Sequence, residues 1–190
     1  TILINTEMCK QCEIDSVYEF TNKRKLCKAC FVRWFQKKFL YTIRKFKMIE
    51  KGDVIGFENR KSFRDAVLDD LLKIYSERGI VEIVKKGKTD KIAVSSTTDS
   101  EADEVIHILI KGDANKLKQG PIEKIGKNVI IKPLYLFLDK EVLLYAKLRK
   151  LKFGIVREEK DKLSLFVDDL EKKHPEVKQS IIGSYWELFG

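Results

Sequence analysis

Cys9, Cys12, Cys27 and Cys30 are the only cysteines among the 190 residues, and they form two Cys-x-x-Cys pairs separated by the 14 residues from Glu13 to Leu26. Each pair fits a tight turn that aims two sulfurs at one point. Two such turns close a tetrahedral site with Zn–S bonds of ~2.3 Å. The separation lies at the short edge of the roughly 15–20 residues usual for paired sites of this kind. The intervening "VYEFTNKRKL" reads as a hairpin, and the expectation is a structural Zn²⁺ held by all four sulfurs. Two disulfides would need an oxidising compartment. The opening "TILINTE" has neither a basic stretch nor a long apolar run, so it does not read as a secretion signal. Spacing alone leaves a four-cysteine iron–sulfur site open.

If a metal takes every sulfur, none remains to serve as a nucleophile or persulfide carrier. A closed Cys₄ site also has no open coordination position for a substrate. The two histidines, His107 and His174, are far apart in the chain, with no pattern of carboxylates or cysteines that would make a triad or a second metal site. Both read as structural. Asp99, Glu101, Asp103 and Glu104 could hold Mg²⁺. They read more simply as a helix start capped by Asp99 or Ser100, where the helix dipole favours acidic side chains.

The formal net charge is +9, and its placement is uneven. Between Thr21 and Lys61, thirteen Lys or Arg face only Glu50, Asp53 and Glu58, so this stretch carries +10 and the rest nets −1. Four thiolates with one Zn²⁺ would lower the total by about 2, which leaves the patch intact. A localised basic patch is the footprint of a polyanion binder, most often of nucleic acid. The side chains expected to contact phosphates are Lys23, Arg24, Lys25, Arg33, Lys37, Lys38, Arg44 and Lys45. Such contacts would position an RNA without reading its sequence.

Most of those residues lie on "FVRWFQKKFLYTIRKFKMI", where Phe31, Trp34, Phe35, Phe39, Ile43 and Phe46 recur at helical spacing. This predicts a basic amphipathic helix leading out of the cysteine knuckle, its aromatic stripe turned to the core. Beyond it, "VIGF", "IVEIV", "KIAV" and "NVII" read as strands. Residues 58–79 and 95–113 read as turn- or loop-led helices, the first with Ala66, Val67, Leu71 and Ile74 inward and Gly79 as its C-cap. Helices are also expected at 139–151 and 161–174, the latter stopped by Pro175, with a final helix or tail after it. "FGIV" reads as a short extended piece. Alternating strands and helices imply an α/β fold with a largely parallel sheet. Ligands of such sheets bind at loops leaving the carboxyl ends of strands, here Glu58–Arg64 and Ser95–Ser100. The expected organisation is a zinc knuckle at 1–31, a basic connecting helix at 32–51 and an α/β domain at 52–190. No run of about 18 apolar residues is present to span a membrane.

The order of these features resembles the TtuA/Ncs-type tRNA 2-thiolation proteins of the PP-loop superfamily, which also holds TtcA and the tRNA-lysidine synthetases. The resemblance rests on the Cys-x-x-Cys knuckle with "LCKACF", the basic helix, "KGD", and then Lys111-Gly112-Asp113, Pro133-Leu134, Glu141-Val142, Tyr145-Ala146 and His174-Pro175 in order. It covers the chain from Cys9 to about Ser180. It implies a PP-loop fold, with helices on both faces of the sheet, and a role in ATP-dependent tRNA thiolation.

The departures from the family pattern fall on its catalytic loops. Where the family has SGGKDS, this chain reads "FENRKSFRD". Both glycines are gone, Glu58 adds negative charge where phosphates would sit, and the side chains of Asn59 and Arg60 hinder close backbone approach. Lys61 and Ser62 are the remnant. Against GHNLDDEA the chain reads "SSTTDSEA", where Asp99, Glu101 and Ala102 fit and Ser96 and Ser100 do not. A family cysteine position reads "IVREE", the mid-domain cysteine segment is missing, and no second zinc ribbon is present. Lys61, Ser62 and Asp99 therefore stand as vestiges of a nucleotide site. The expectation is an inactive, cytoplasmic relative that binds no ATP, and that binds tRNA or partners an active thiolation subunit or itself. The alternatives are a tRNA sulfurtransferase with a remodelled ATP loop, and a zinc-ribbon scaffold for proteins.

Overall fold

The computed structural model describes residues 8–85, 87–113, 117, 120–154 and 161–189. Two short antiparallel strands, β1 (Tyr18–Glu19) and β2 (Lys25–Leu26), form the expected hairpin. They lead into α1 (Lys28–Lys45), which begins inside the expected knuckle segment. The chain then continues as β3 (Val54–Gly56), α2 (Phe63–Ser76), β4 (Glu82–Val84), β5 (Lys91–Ala93), α3 (Thr98–Ile110), β6 (Ile122–Ile125), β7 (Asn128–Ile131), α4 (Asp139–Leu148), α5 (Lys162–Lys173) and α6 (Val177–Phe189).

The main sheet runs in the order β4-β3-β5-β7-β6. The first four strands are parallel, and β6 closes the edge antiparallel to β7. β6 is not among the strands expected from sequence. Its "IEKI" sits half-exposed at the sheet edge, where apolar alternation is weak, and the tight turn at Gly126 (φ +61°) that folds it onto β7 carries the signal. The order of connections reverses between β3 and β5. In a doubly wound sheet this switch point opens a crevice at the carboxyl ends of those strands.

Helices cover both faces. On one, α1, α2 and α4 pack over a core running without a break from Cys9 and Leu26, through Phe31, Phe35 and Phe39, to Ile55, Leu68 and Tyr145. On the other, α3, α5 and α6 surround a smaller core of Ala102, Val105, Tyr135, Ile182 and Tyr185. The aromatic stripe of α1 faces inward as predicted, and Phe31, Phe35 and Phe39 are fully buried. The chain leaves α1 through Lys47 in the left-handed region (φ +50°), and Met48 N donates to Ile43 O at 3.0 Å. This turn buries Met48 and aims the chain into β3.

Gly79 (φ +62°) lies beyond the cap of α2, which is Glu77. The cap of α3 is Thr97, with Ser100 as its reciprocal partner, rather than Asp99 or Ser100. "IVREE" and the end of "FGIV" lie outside the described residues. Among the described residues no helix is long and apolar enough to cross a membrane.

Candidate metal centre, basic helix and crevice

The knuckle is built by two turns. In the first, Cys9 N donates to Ile14 O (2.8 Å) and Glu13 N to Cys9 O (3.0 Å), with Glu13 in the left-handed region (φ +55°). In the second, Cys27 occupies the N-cap of α1 and Cys30 its first turn. Lys10 N donates to Lys25 O at 3.3 Å and ties the turns together. The four sulfurs lie within 4.8 Å of one another. Cys12 Sγ is 3.3 Å from Cys27 Sγ and 3.7 Å from Cys30 Sγ. A tetrahedron with bonds of ~2.3 Å has edges of about 3.8 Å, so the sulfurs stand where one tetrahedral ion needs them.

The thiols are electrostatically uneven. Cys9 is lowered to about 6, chiefly by the Cys27 backbone amide, and Cys27 is lowered chiefly by the Cys30 amide. Cys12 is pushed up to about 12, chiefly by its hydrogen bond with Cys27, and Cys30 is raised by burial. Four crowded thiols share protons in this way, and a bound cation draws all four to thiolate.

Aromatic contacts mount the knuckle on the α/β core. Tyr18 packs against Phe20 (4.9 Å between centroids) and Phe31 (5.0 Å), and Phe20 against Trp34 (4.7 Å). Phe35 stacks on Tyr145 at 4.3 Å. Tyr18 Oη donates to Glu141 at 3.4 Å, and Lys38 Nζ reaches the same buried carboxylate at 2.8 Å.

That contact moves Lys38 out of the group expected to meet phosphates. Its ammonium sits over the rings of Trp34 and Phe137 (5.0 and 4.6 Å) as well as on Glu141, because its place on α1 faces the domain. Lys23 and Lys25 both reach Glu19 at 3.3 Å, and only Lys23 is well exposed. Arg24 lies over the Phe20 ring at 5.5 Å. Arg33, Lys37, Arg44 and Lys45 are exposed on one side of α1. Tyr41, 53% exposed, stands among them, and the sequence reading did not single it out. The 33/37/41/44 spacing, one residue per helical turn, is the signal that places it there.

At the switch-point crevice the helix N-termini are occupied by the chain's own side chains. Ser62 caps α2 by accepting from Asp65 N (3.0 Å), and its hydroxyl donates to the Asp65 carboxylate (2.7 Å). Ser95 Oγ donates to the other oxygen of Asp65 (2.7 Å). Arg64 forks onto Asp139 at the start of α4, with Nε 2.7 Å and Nη2 2.5 Å from its two oxygens. Thr97 Oγ1 donates to Asp139 at 2.8 Å. Asp99 uses both oxygens, accepting from Asp139 N (2.7 Å) and from the buried ammonium of Lys178 (2.8 Å). Lys61 is exposed and in the left-handed region (φ +68°), outside this network of bonds.

A polar cavity of about 380 Å³ opens onto the network, lined by Arg64, Ser95 and Ser96 together with Glu101, Glu104 and Glu123. Lys132 lies between Glu101 (2.9 Å) and Glu123. Burial works against its charge, but the two carboxylates outweigh that and hold its pKa above the usual value. Ser62 bonds to Asp65, and Asp99 bonds to Asp139 N and Lys178. Lys178 and Lys132, which organise the crevice, carry no sequence signal, since a lone lysine acquires meaning only from partners distant in the chain.

Of the two histidines, His107 is bonded through its side chain. His107 lies 2.7 Å from Asp161, the N-cap of α5, and 2.6 Å from Asp103 O. His174 ends α5 ahead of Pro175.

No family model matches the sequence, and no curated protein matches it. The fold matches a solved structure, the U34-tRNA thiolase NcsA from Methanococcus maripaludis with its [4Fe-4S] cluster. The TM-score is 0.77 over 98% of this chain and 88% of that one, at 20% identity. At that identity the likeness is one of fold alone, and the clustered cysteines ahead of the α/β domain agree with an N-terminal metal-binding ribbon.

Proposed function

We propose that this chain is a catalytically inactive PP-loop protein of tRNA thiolation, which binds tRNA on the exposed face of α1 and on the basic hairpin beside it. The observation that carries the reading is the contrast between two surfaces. The crevice where the resemblance would place a nucleotide is edged by Asp65, Asp99 and Asp139, each already bonded to a helix start or to a cation. The opposite charge is displayed outward by Arg33, Lys37, Arg44 and Lys45. A phosphate entering the crevice would meet carboxylates in the places where a helix N-terminus normally offers free amides. Phosphates along α1 would meet cations, and Tyr41 among them supplies an aromatic face for a base. The matching fold belongs to a tRNA thiolase, which makes tRNA the nucleic acid to test first.

In this reading the metal is a single structural Zn²⁺ on Cys9, Cys12, Cys27 and Cys30. The sulfur spacing supports it, because a four-iron cluster places an iron between each sulfur and the centre and needs the sulfurs wider apart. The protein would act in the cytoplasm, beside an active PP-loop subunit or a second copy of itself.

Filter binding of tRNA over a salt series tests the nucleic-acid half. Four to six phosphate contacts predict a log–log slope of about −3 to −5. Reversing charge at Arg33, Lys37 and Arg44 together should remove most of that slope. A flat response, or no binding, sinks this half. Calorimetry with ATP and Mg²⁺ tests the other, with no heat expected at millimolar nucleotide. Measurable ATP binding would favour the remodelled sulfurtransferase instead.

A further inference from the structure

A second cavity lies between the end of α1 and the face of α6, and it shares no lining residue with the polar crevice cavity. Its volume is about 490 Å³, within the range of small-ligand sites. Lys45, Phe46, Gln179, Ile182, Gly183 and Trp186 are among its walls. The indole of Trp186 stacks on Phe46, with centroids 5.5 Å apart and planes inclined by 27°, and its Nε1 donates to Tyr135 Oη at 3.0 Å. The aromatic wall is therefore braced before any ligand arrives. Gly183 sits in the interior of α6, where glycine is unfavourable for the helix. A Cβ built there would meet no atom within 4 Å. The missing side chain leaves open space beside the aromatic wall. Gln179, exposed on the same helix, offers amide donors and an acceptor. Lys45 belongs both to this cavity and to the exposed basic face of α1.

We infer that this cavity receives one unpaired nucleotide of an RNA strand lying along α1, its base against the Trp186–Phe46 wall and its phosphate at Lys45. The inference rests on the RNA-binding reading above. It adds a preference for single-stranded over duplex RNA, since a paired base is already stacked and cannot enter. Recognition by stacking is tolerant of base identity, so a weakly self-stacked oligouridylate serves as the probe.

The test is fluorescence anisotropy of the full chain with a short oligouridylate and with a blunt duplex RNA of the same length, alongside a titration with uridine monophosphate. Gly183→Leu fills the cavity with a good helix former, and Trp186→Leu removes the stacking face. Thermal melts check that both variants fold. Each variant is expected to lose about tenfold or more in single-strand affinity while duplex binding holds, the range seen when one stacking side chain is removed. If both variants bind the single strand like the parent, and the parent binds duplex, the cavity inference is wrong and the phosphate reading survives. If the parent binds neither RNA, the RNA-binding reading fails and takes this inference with it. Mononucleotide binding as tight as that of the oligomer would make the cavity a free-nucleotide site and overturn the assignment to RNA.

Discussion

Cys27→Ser is expected to abolish metal binding and melt the knuckle together with the first turns of α1. The variant is informative because serine is an excellent N-cap, and Cys27 holds the N-cap of α1 with no side-chain cap bond of its own. Local helix propensity thus improves while the metal site loses a ligand. Structural Zn²⁺ contributes about 10–16 kcal/mol in finger peptides at neutral pH, comparable to or above the ~5–15 kcal/mol net stability of a whole domain. The loss should spread beyond the hairpin. Tyr18 and Phe20 pack directly on Phe31 and Trp34 of α1, and the buried core is continuous from Cys9 to Tyr145. Melting curves with and without a strong chelator, with metal content measured alongside, check this. The parent should carry one zinc per chain and lose a large part of its melting temperature when stripped. A protein that melts identically with and without chelator, and contains no metal, would refute the assignment. Iron with a visible charge-transfer band would replace zinc by an iron site.

Lys178→Met is expected to cost about 3–5 kcal/mol, the range for removing one partner of a buried ion pair. For a chain of this size that is a fall of roughly 10 °C in melting temperature. The Lys178 side chain is 3% exposed and lies 2.8 Å from Asp99, 2.8 Å from Asp168 and 3.1 Å from Glu171. Burial disfavours the ammonium, and the carboxylates more than offset it, so its pKa is raised. Methionine keeps the length and apolar stem but leaves these carboxylates crowded without Lys178. Their repulsion is part of the lost stability. Adding Asp99→Asn should return part of it at neutral pH. A melting temperature within a degree or two of the parent would show that Lys178 does not hold this corner together.

Lys178 also connects the last helix to the crevice, since its partner Asp99 accepts the Asp139 amide that starts α4. The carboxylates edging the crevice are thereby held by the chain's own donors. Each of those acids has an internal donor, so the crevice needs no ligand to neutralise it.

Much of the architecture was legible without coordinates. The stripe Phe31–Phe35–Phe39–Ile43 announces the buried face of α1, because side chains four apart share a helix face whatever the rest of the molecule does. The strand-then-helix alternation announces the parallel sheet. Edge strand β6 escaped because its residues are half-exposed and too mixed to show a period. Lys38 was misplaced because charge composition cannot tell which side of an amphipathic helix a lysine takes near the boundary of the two faces. The structure resolves it through Glu141, 103 residues away.

By itself, then, the sequence determined what depends on neighbours within a few turns of chain. That comprises a four-sulfur site at two Cys-x-x-Cys turns, a basic amphipathic helix behind it, and loops without the glycines a phosphate cradle requires. Only the tertiary structure decided what occupies the crevice. Arg64 meets Asp139 across 75 positions and Lys178 meets Asp99 across 79. The physical reason is one of range. Caps, turns and helical periodicity are set by bonds that close over three or four residues. An ion pair between distant residues exists only once the sheet order has brought their helices together.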